Sequence, residues 1–281
     1  MVYDADFREA EGATLETAIP LINIAGSSPG NFVVPTSASR ITELRFALGM
    51  SSADDTLFGM TSSFHIYGGG VPELGEGWFL GPTITSDGLA AASGNRMGAI
   101  TQKYFTNIKV NPGAQFAIDA FMLGEDIGGL VGMAQVVYDG PVVGPIVDMD
   151  YRSIDLAAAE TWTTLTERGA AVVEGDMRPH KPVIGELYFG VGTKTTVGAA
   201  NVTNYGFHLS GAGLKYAGNY NFIIGSSIGS ATESGSNTKI AELERYICKI
   251  PVKQNNPVRV EGIMIGDDVG TGFSVAGFAY Y

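Results

Sequence analysis

Apolar residues in this chain occur in short runs that are separated by clusters of glycine, proline, asparagine, aspartate and serine. Runs rich in valine, isoleucine, phenylalanine and tyrosine with such boundaries are typical of β-strands. In the first half they are Ile19–Ile24, Asn31–Pro35, Ile41–Gly49, Ser63–Tyr67, Trp78–Leu80, Tyr104–Val110, Gln115–Leu123 and Leu130–Tyr138. In the second half they are Thr161–Thr166, Ala170–Glu174, Ile184–Val191, Gly206–Ser210, Asn221–Ile224, Tyr246–Val252, Val258–Ile265 and Phe273–Tyr280. The pattern predicts an all-β protein.

The order of these runs repeats once along the chain. Three blocks of the first half return in the second in the same order, which a chance match does not explain. The matching blocks are Leu123–Gly129 with Ile265–Thr271, Glu43–Gly49 with Glu186–Gly192, and Phe64–Ile66 with Phe207–Leu209. About eight strands in each half is the number that a jelly roll requires. We therefore predict two tandem, internally duplicated jelly-roll β-sandwiches of about eight strands each.

The repeat also predicts the domain organisation. We assign residues 1–15 to an N-terminal arm, 16–140 to the first sandwich, 141–159 to a linker and 160–281 to the second sandwich. Helical spacing predicts two short helices, Ser153–Glu160 with Ser153 as the N-cap, and Thr238–Arg245. Loops that are long for hairpins are predicted at residues 68–77 and 83–100, with partners at 211–220 and 226–239, and loops of this kind often make functional contacts.

The composition adds that the surface has little charge. Only 16 % of the 281 residues are charged and 39 are glycine, whereas typical soluble domains have about 25 % charged residues and about 7 % glycine. Such a surface indicates either burial against neighbouring subunits or an apolar environment. No apolar run is long enough for a membrane-spanning helix, and the acidic start does not resemble a secretory signal. We therefore favour subunit contacts, and synthesis in the cytoplasm.

The net charge of −12 and the pI of about 4.6 argue against direct binding of nucleic acid, which usually requires a basic patch. The single cysteine, Cys248, lies in an apolar strand pattern and is predicted to be a small buried side chain.

Candidate chemistry is sparse. His65 and His208 occupy matching places in the repeat, and His180 stands apart from both. None of the three has the spacing of a metal site. We predict structural roles for His65 and His208, and keep as a hypothesis that their common face lies at a pH-sensitive interface.

Two acidic turns, Glu125-Asp126 and Asp267-Asp268, suggest a calcium site, because calcium is bound by carboxylates grouped in loops. We favour ordinary turns, because aspartate and glycine suit turns without any metal. The glycines at 68–70 lack the remaining residues of a phosphate-binding loop. The sequence therefore predicts no enzyme, and no catalytic, cofactor-binding or metal-binding residues.

Taken over its whole length, the chain resembles the double jelly-roll major capsid proteins of tailless icosahedral viruses. The resemblance is architectural, and rests on the strand count and on the duplicated blocks Glu43–Gly49 with Glu186–Gly192 and Leu123–Gly129 with Ile265–Thr271. It implies a structural virion protein that assembles as pseudo-hexameric trimers into an icosahedral shell. Its partners would be further copies of itself and other virion proteins, with no direct nucleic-acid contact. The arm at 1–15 would reach a neighbouring subunit or an internal membrane.

Two alternatives stay open. One is an accessory virion protein, such as a decoration, spike or tail-associated protein. The other is a tandem carbohydrate-binding module that uses Trp78 and the loops 68–77 and 211–220 as its sugar face. Against the second stand the missing secretion signal and Asn221, which takes the place of Trp78 in the alignment of the two halves.

Overall fold

The computed structural model describes residues 5–11, 17–22, 30–50, 57–87, 100–124, 130–141, 146–156, 160–168, 171–172, 175–193, 201–215, 222–230, 241–266 and 272–281. These residues form strands, turns and bends and contain no helix, which confirms the all-β prediction. In particular, the described part of the chain has no helix that is long and apolar enough to cross a membrane.

Most strands of the first half overlap the predicted runs. They are β1 (Ala5–Glu11), β2 (Ile19–Pro20), β3 (Phe32–Val33), β4 (Arg40–Met50), β5 (Leu57–Tyr67), β6 (Trp78–Asp87), β7 (Ile100–Lys109), β8 (Gln115–Gly124) and β9 (Leu130–Tyr138). Those of the second half are β10 (Asp148–Leu156), β11 (Thr163–Thr164), β12 (Glu167–Arg168), β13 (Ala171–Val172), β14 (Asp176–Met177), β15 (Val183–Thr193), β16 (Asn201–Ser210), β17 (Phe222–Ser230), β18 (Ala241–Pro251), β19 (Val258–Gly266) and β20 (Gly272–Tyr280).

These strands form four antiparallel sheets, two in each half. Sheet A has the order β1-β9-β4-β7, and sheet B has the order β2-β8-β5-β6 with β3 also paired to β8. Sheet C has the order β13-β12-β10-β20-β15-β18, and sheet D has the order β11-β19-β16-β17 with β14 also paired to β19. Apart from the short β12 and β13, the strand order of sheet C corresponds to that of sheet A, and the strand order of sheet D corresponds to that of sheet B.

The irregularities of the sheets also coincide. The register of β4 shifts between Ile41 and Glu43, and that of β15 shifts between Ile184 and Glu186. A second shift lies between Thr61 and Ser63 in β5, and its counterpart lies between Asn204 and Gly206 in β16. Such shifts mark a β-bulge or a similar irregularity, so the two halves depart from regular pairing at the same places.

The four sheets stack in the order A, B, C, D. Between sheets A and B, the rings of Phe46 and Phe64 stack with their centroids 4.3 Å apart. Between sheets C and D, Phe189 and Phe207 stack at 4.2 Å. Alternate residues of each strand point into these layers, as the period-two pattern predicts. The core between A and B continues into the space between B and C, where it includes Met149, Tyr151, Tyr188, Val275 and Ala279.

The two predicted helices are wrong for the residues that the structure describes. Residues 153–156 belong to β10, which pairs with β20 over its whole length. Residues 241–245 belong to β18, which pairs with β15. Both segments have helical spacing over a few residues only, and pairing with a long neighbouring strand overrides so weak a local preference.

Three other expectations change. Residues 5–11 were assigned to the N-terminal arm but form β1, which pairs with β9 along seven residues. The predicted loops at 83–100 and 226–239 are shorter, because β6 continues to Asp87 and β17 continues to Ser230. The strand β10 lies inside the segment 141–159 that was assigned to a linker.

Candidate functional site

The junction between the two halves is formed by the outer face of sheet B and the facing surface of sheet C. Trp78 of β6 meets Tyr151 of β10 edge-on, with ring centroids 5.3 Å apart. Leu80, on the same face of β6, is fully buried there. A Cβ atom on Gly277 would lie 2.7 Å from Cδ1 of Leu80 and 2.8 Å from Cε of Met149, so a larger residue here would displace the ends of these two side chains.

A buried carboxylate fixes the first half to the second. Asp148, at the start of β10, is fully buried and accepts hydrogen bonds from the backbone amides of Gly75 and Glu76 at 3.3 Å and Gly77 at 3.0 Å. The Nε2 atom of His180 is also in contact with this carboxylate. Buried charges are stable only when they are paired and hydrogen-bonded, and Asp148 satisfies this condition with groups from both halves.

An aspartate–histidine pair is also part of many hydrolase sites, where the other ring nitrogen activates a hydroxyl or thiol. Among the described residues, no serine, threonine or cysteine is hydrogen-bonded to the ring of His180. The contacts of Asp148 are those of a structural anchor, because three of its partners are backbone amides that it holds in place.

A cleft of about 290 Å³ lies beside this junction and contains a second carboxylate with several partners. Glu186 accepts two hydrogen bonds of 2.6 Å from Nε and Nη2 of Arg245. The hydroxyls of Tyr188 and Tyr281 each donate to it at 2.5 Å. Burial raises the pKa of Glu186, but the hydrogen bonds from Arg245 and the two tyrosines outweigh it, so the pKa lies below its usual value. Glu186 is therefore ionised at neutral pH, and both of its oxygens already accept hydrogen bonds. This arrangement suits a structural role better than acid–base catalysis.

His65 lies in the junction region, as part of an aromatic stack on the outer face of sheet B. Its ring is 4.2 Å from that of Trp78 and 4.9 Å from that of Tyr67. The neighbours Phe64 and Ile66 are buried on the inner face, as predicted from the alternation.

His208 has matching surroundings on the outer face of sheet D. Its ring stacks on Phe222 at 4.4 Å, and Trp162 approaches Phe222 at 5.5 Å. Its Nδ1 atom lies 2.9 Å from a carboxylate oxygen of Glu261. The residue that takes the place of Trp78 is therefore Phe222, which pairs with His208 as Trp78 pairs with His65. The aligned residue Asn221 lies outside the described part of the chain, one position earlier.

The remaining predicted features are accounted for as follows. The glycines at 68–70 form a turn in which Gly68 has a φ of 125° and the amide of Gly70 donates to the carbonyl of Gln115. Both acidic turns, Glu125-Asp126 and Asp267-Asp268, lie outside the described residues. The sulfur of Cys248 is half-buried, and burial raises the pKa of its thiol to about 11.

Trp78 is only 6 % exposed. It lies in the junction between the halves, so its ring does not provide the sugar-binding face proposed for a carbohydrate-binding module. No group of three or more histidine, cysteine, aspartate or glutamate side chains within the described residues is placed to hold a metal ion.

Sequence reasoning found the two histidine positions but missed Asp148 and the partners of Glu186. Asp148 alternates with Asp150 and Arg152 along β10, and all three are buried. Charged residues that alternate along a strand usually indicate an exposed face, so the sequence pattern does not indicate that these three are buried.

Comparisons with known proteins give no family. No family model matches the sequence, and no curated protein matches it. A cryo-EM structure of Broad Bean Stain Virus is similar over 97 % of this chain and 88 % of its own, with 8 % identity and a TM-score of 0.38. The cowpea mosaic virus top component, which consists of naturally occurring empty particles, matches over 99 % of this chain and 88 % of its own, with 10 % identity and a TM-score of 0.38.

A different kind of protein also matches. It is the tandem CBM22 domain of Xyn10C from Paenibacillus barcinonensis, which covers 100 % of this chain and 99 % of its own with 7 % identity and a TM-score of 0.25. At such TM-scores and identities, none of these similarities carries an argument about function.

Proposed function

We propose that the protein is a structural virion protein, the major capsid protein of an icosahedral shell, and that its copies associate as pseudo-hexameric trimers. The observation that carries this proposal is the stack of two sandwiches with matching strand order and matching bulges. On this proposal the protein is located in the virion and has no enzymatic activity.

We infer a jelly roll for each half from its strand order. With β2 and β3 counted together as the second strand, sheet A holds the first, eighth, third and sixth strands of its half, and sheet B holds the second, seventh, fourth and fifth. Sheets C and D repeat this order if β10 is the first strand and β11 and β14 together are the second. Jelly rolls of this kind form viral capsid and lectin domains, and we infer that the chain contains two of them in tandem.

The polar groups of the junction favour a building block over an enzyme. The carboxylates of Asp148 and Glu186 are each held by several donors, and Asp148 holds the two halves together. A capsid subunit requires its two sandwiches in one fixed arrangement, because the angle between them sets the shape of the oligomer.

The surface composition supports contacts with further subunits. Charged residues make up only 16 % of the chain, and protein interfaces are depleted in lysine, glutamate and aspartate. Several large apolar side chains are exposed in the single chain, among them Trp162, Phe222 and Ile224. Contiguous exposed apolar patches are typical of interaction surfaces.

The experiment is mass photometry of the purified full chain over a range of protein and salt concentrations, with negative-stain electron microscopy of the same samples. The expected result is a trimer that grows into sheets or closed shells. A chain that stays monomeric at all concentrations would overturn the proposal. Binding to preformed shells of another protein, without self-assembly, would instead support an accessory virion protein.

A further inference from the structure

The outer faces of sheets B and D are equivalent surfaces in the two halves. Trp78 pairs with His65 and Leu80 pairs with Ser63 on sheet B. In sheet D, Phe222 pairs with His208 and Ile224 pairs with Gly206. In both places a histidine stacks on the aromatic ring of the neighbouring strand.

The two surfaces differ in what covers them. Trp78 is 6 % exposed and Leu80 is fully buried, because sheet C lies on them. Their counterparts in sheet D are open, with Phe222 54 % and Ile224 81 % exposed. We call this open surface the aromatic face of sheet D, and it consists of Trp162, His208, Phe222, Ile224, Glu261 and Ile265.

The surface that covers sheet B has its own counterpart in the first half. Sheet C meets sheet B with Gly277 of β20, whose place in sheet A is taken by Gln135 of β9. The equivalence follows from the pairing, since Gly277 is opposite Tyr188 and Gln135 is opposite Arg45, at matching places in β15 and β4. The outer face of sheet A is therefore the counterpart of the outer face of sheet C, and among the described residues no other sheet is stacked on it.

The outer face of sheet A has suitable chemistry for the aromatic face of sheet D. Phe105 is exposed beside Lys103, whose ammonium lies 4.6 Å from the centre of the Phe105 ring. Arg45 lies on the same face, where its guanidinium is paired with the carboxylate of Glu43. Sheet D contributes the rings of Trp162 and Phe222 and the carboxylate of Glu261, which lies 2.9 Å from Nδ1 of His208. The match between the two faces therefore rests on exposed aromatic surface and on Lys103 as the cation opposite Glu261.

We propose that the aromatic face of sheet D packs on the outer face of sheet A of a second copy, in the way that sheet B packs on sheet C within one chain. The inference rests on the proposed function, since it names the contact by which the copies associate. It is a heterologous contact, which leaves one free aromatic face and one free sheet A at the ends of any open assembly. A two-fold contact between two aromatic faces would instead bring two Glu261 carboxylates together.

The test is disulfide cross-linking between two variants of the full chain, both in a Cys248→Ser background. Leu80 and Gly277 are in contact within the chain, and their counterparts are Ile224 and Gln135. Ile224→Cys and Gln135→Cys are therefore mixed and oxidised. The expected result is a covalent dimer in the mixture that neither variant forms alone. Ile224→Cys mixed with Val33→Cys is the control, because Val33 is 52 % exposed but lies on neither face.

Each other outcome has a definite meaning. A covalent dimer of Ile224→Cys alone would overturn the proposal in favour of a two-fold contact. The two variants could also assemble as the chain without substitutions does, but form no disulfide between positions 224 and 135. That result would overturn this inference and leave the proposed function standing. A mixture that stays monomeric and unlinked would overturn both.

A second variant does not depend on disulfide geometry. Ile224→Glu should raise the protein concentration needed for association about 30-fold, because an isoleucine side chain no longer becomes buried. Val33→Glu adds the same charge to a similarly exposed apolar position and should leave association unchanged. Equal effects of the two substitutions would overturn the proposal.

Discussion

The different surroundings of Leu80 and Ile224 give a quantitative prediction, because the two residues occupy equivalent places in the two halves. Leu80→Ala removes three carbon atoms from a fully buried side chain in contact with Gly277. At about 0.8 kcal/mol for each buried methylene, and with a cavity left behind, the free energy of unfolding should fall by about 3 kcal/mol. Ile224 is 81 % exposed, so Ile224→Ala should cost about 0.5 kcal/mol or less in the single chain.

The assay is urea unfolding followed by tryptophan fluorescence, at protein concentrations where the chain is monomeric. Trp78 lies in the junction and is a suitable reporter of its opening. Equal losses for the two substitutions would refute the assignment of Ile224 to an open face. A loss below about 1 kcal/mol for Leu80→Ala would refute close packing of sheets B and C. In assembled protein, the cost of Ile224→Ala should approach that of Leu80→Ala.

Three further predictions concern single groups. Glu186→Gln should lower the free energy of unfolding by about 2 kcal/mol at pH 7, and equal urea midpoints of the variant and the unsubstituted chain would contradict this. Because the pKa of Glu186 is depressed in the folded protein, the stability that its carboxylate contributes is present above the usual value near 4.5 and is lost as the pH falls through the folded-state pKa. Asp148→Ala should cost about 2 kcal/mol and speed hydrogen exchange at the amide of Gly77, and unchanged exchange would show that the carboxylate does not hold this loop. Cys248, with a thiol pKa of about 11, should react with iodoacetamide at pH 8 on the order of 100-fold more slowly than free cysteine, and a comparable rate would refute its burial.

The sequence predicted most of the strands because the side-chain period of a buried strand is visible without neighbours. Leu130–Tyr138 has the same bounds in the prediction and in the structure. The alternation also placed His65 on the face opposite Phe64 and Ile66, as the structure has it.

Errors arose where a partner strand decides the local structure. Residues 153–156 of the predicted helix Ser153–Glu160 belong to β10, to which β20 offers a complete row of backbone partners. The strand β1 could not be predicted from its own polar residues, because the pairing with β9 that places it is far away in the chain. A one-residue shift in the alignment of β6 with β17 hid the equivalence of Trp78 and Phe222.

The candidate surface was predictable only in part. Both histidine faces follow from the repeat, but nothing in the sequence near His65 or His208 says which of the two is covered. The answer depends on how the halves pack, and this is set by distant pairs such as Asp148 with the amides of residues 75–77 and by the close approach at Gly277.

If copies associate through the proposed contact, the packing between the halves also bears on whether the assembly closes. A stack of sheets in the order A, B, C, D has two unlike ends, so copies that join D to A continue the stack without limit unless each contact also rotates. If the contact between copies repeats the contact between sheets B and C, every sandwich is related to the next by one and the same rotation. Six sandwiches then close into a ring when that rotation is about a sixth of a turn, and three chains supply them. On the proposed contact, the assembly would close as a trimer if copies meet with the rotation that Asp148 helps to fix between sheets B and C, and would run on as a filament if they do not.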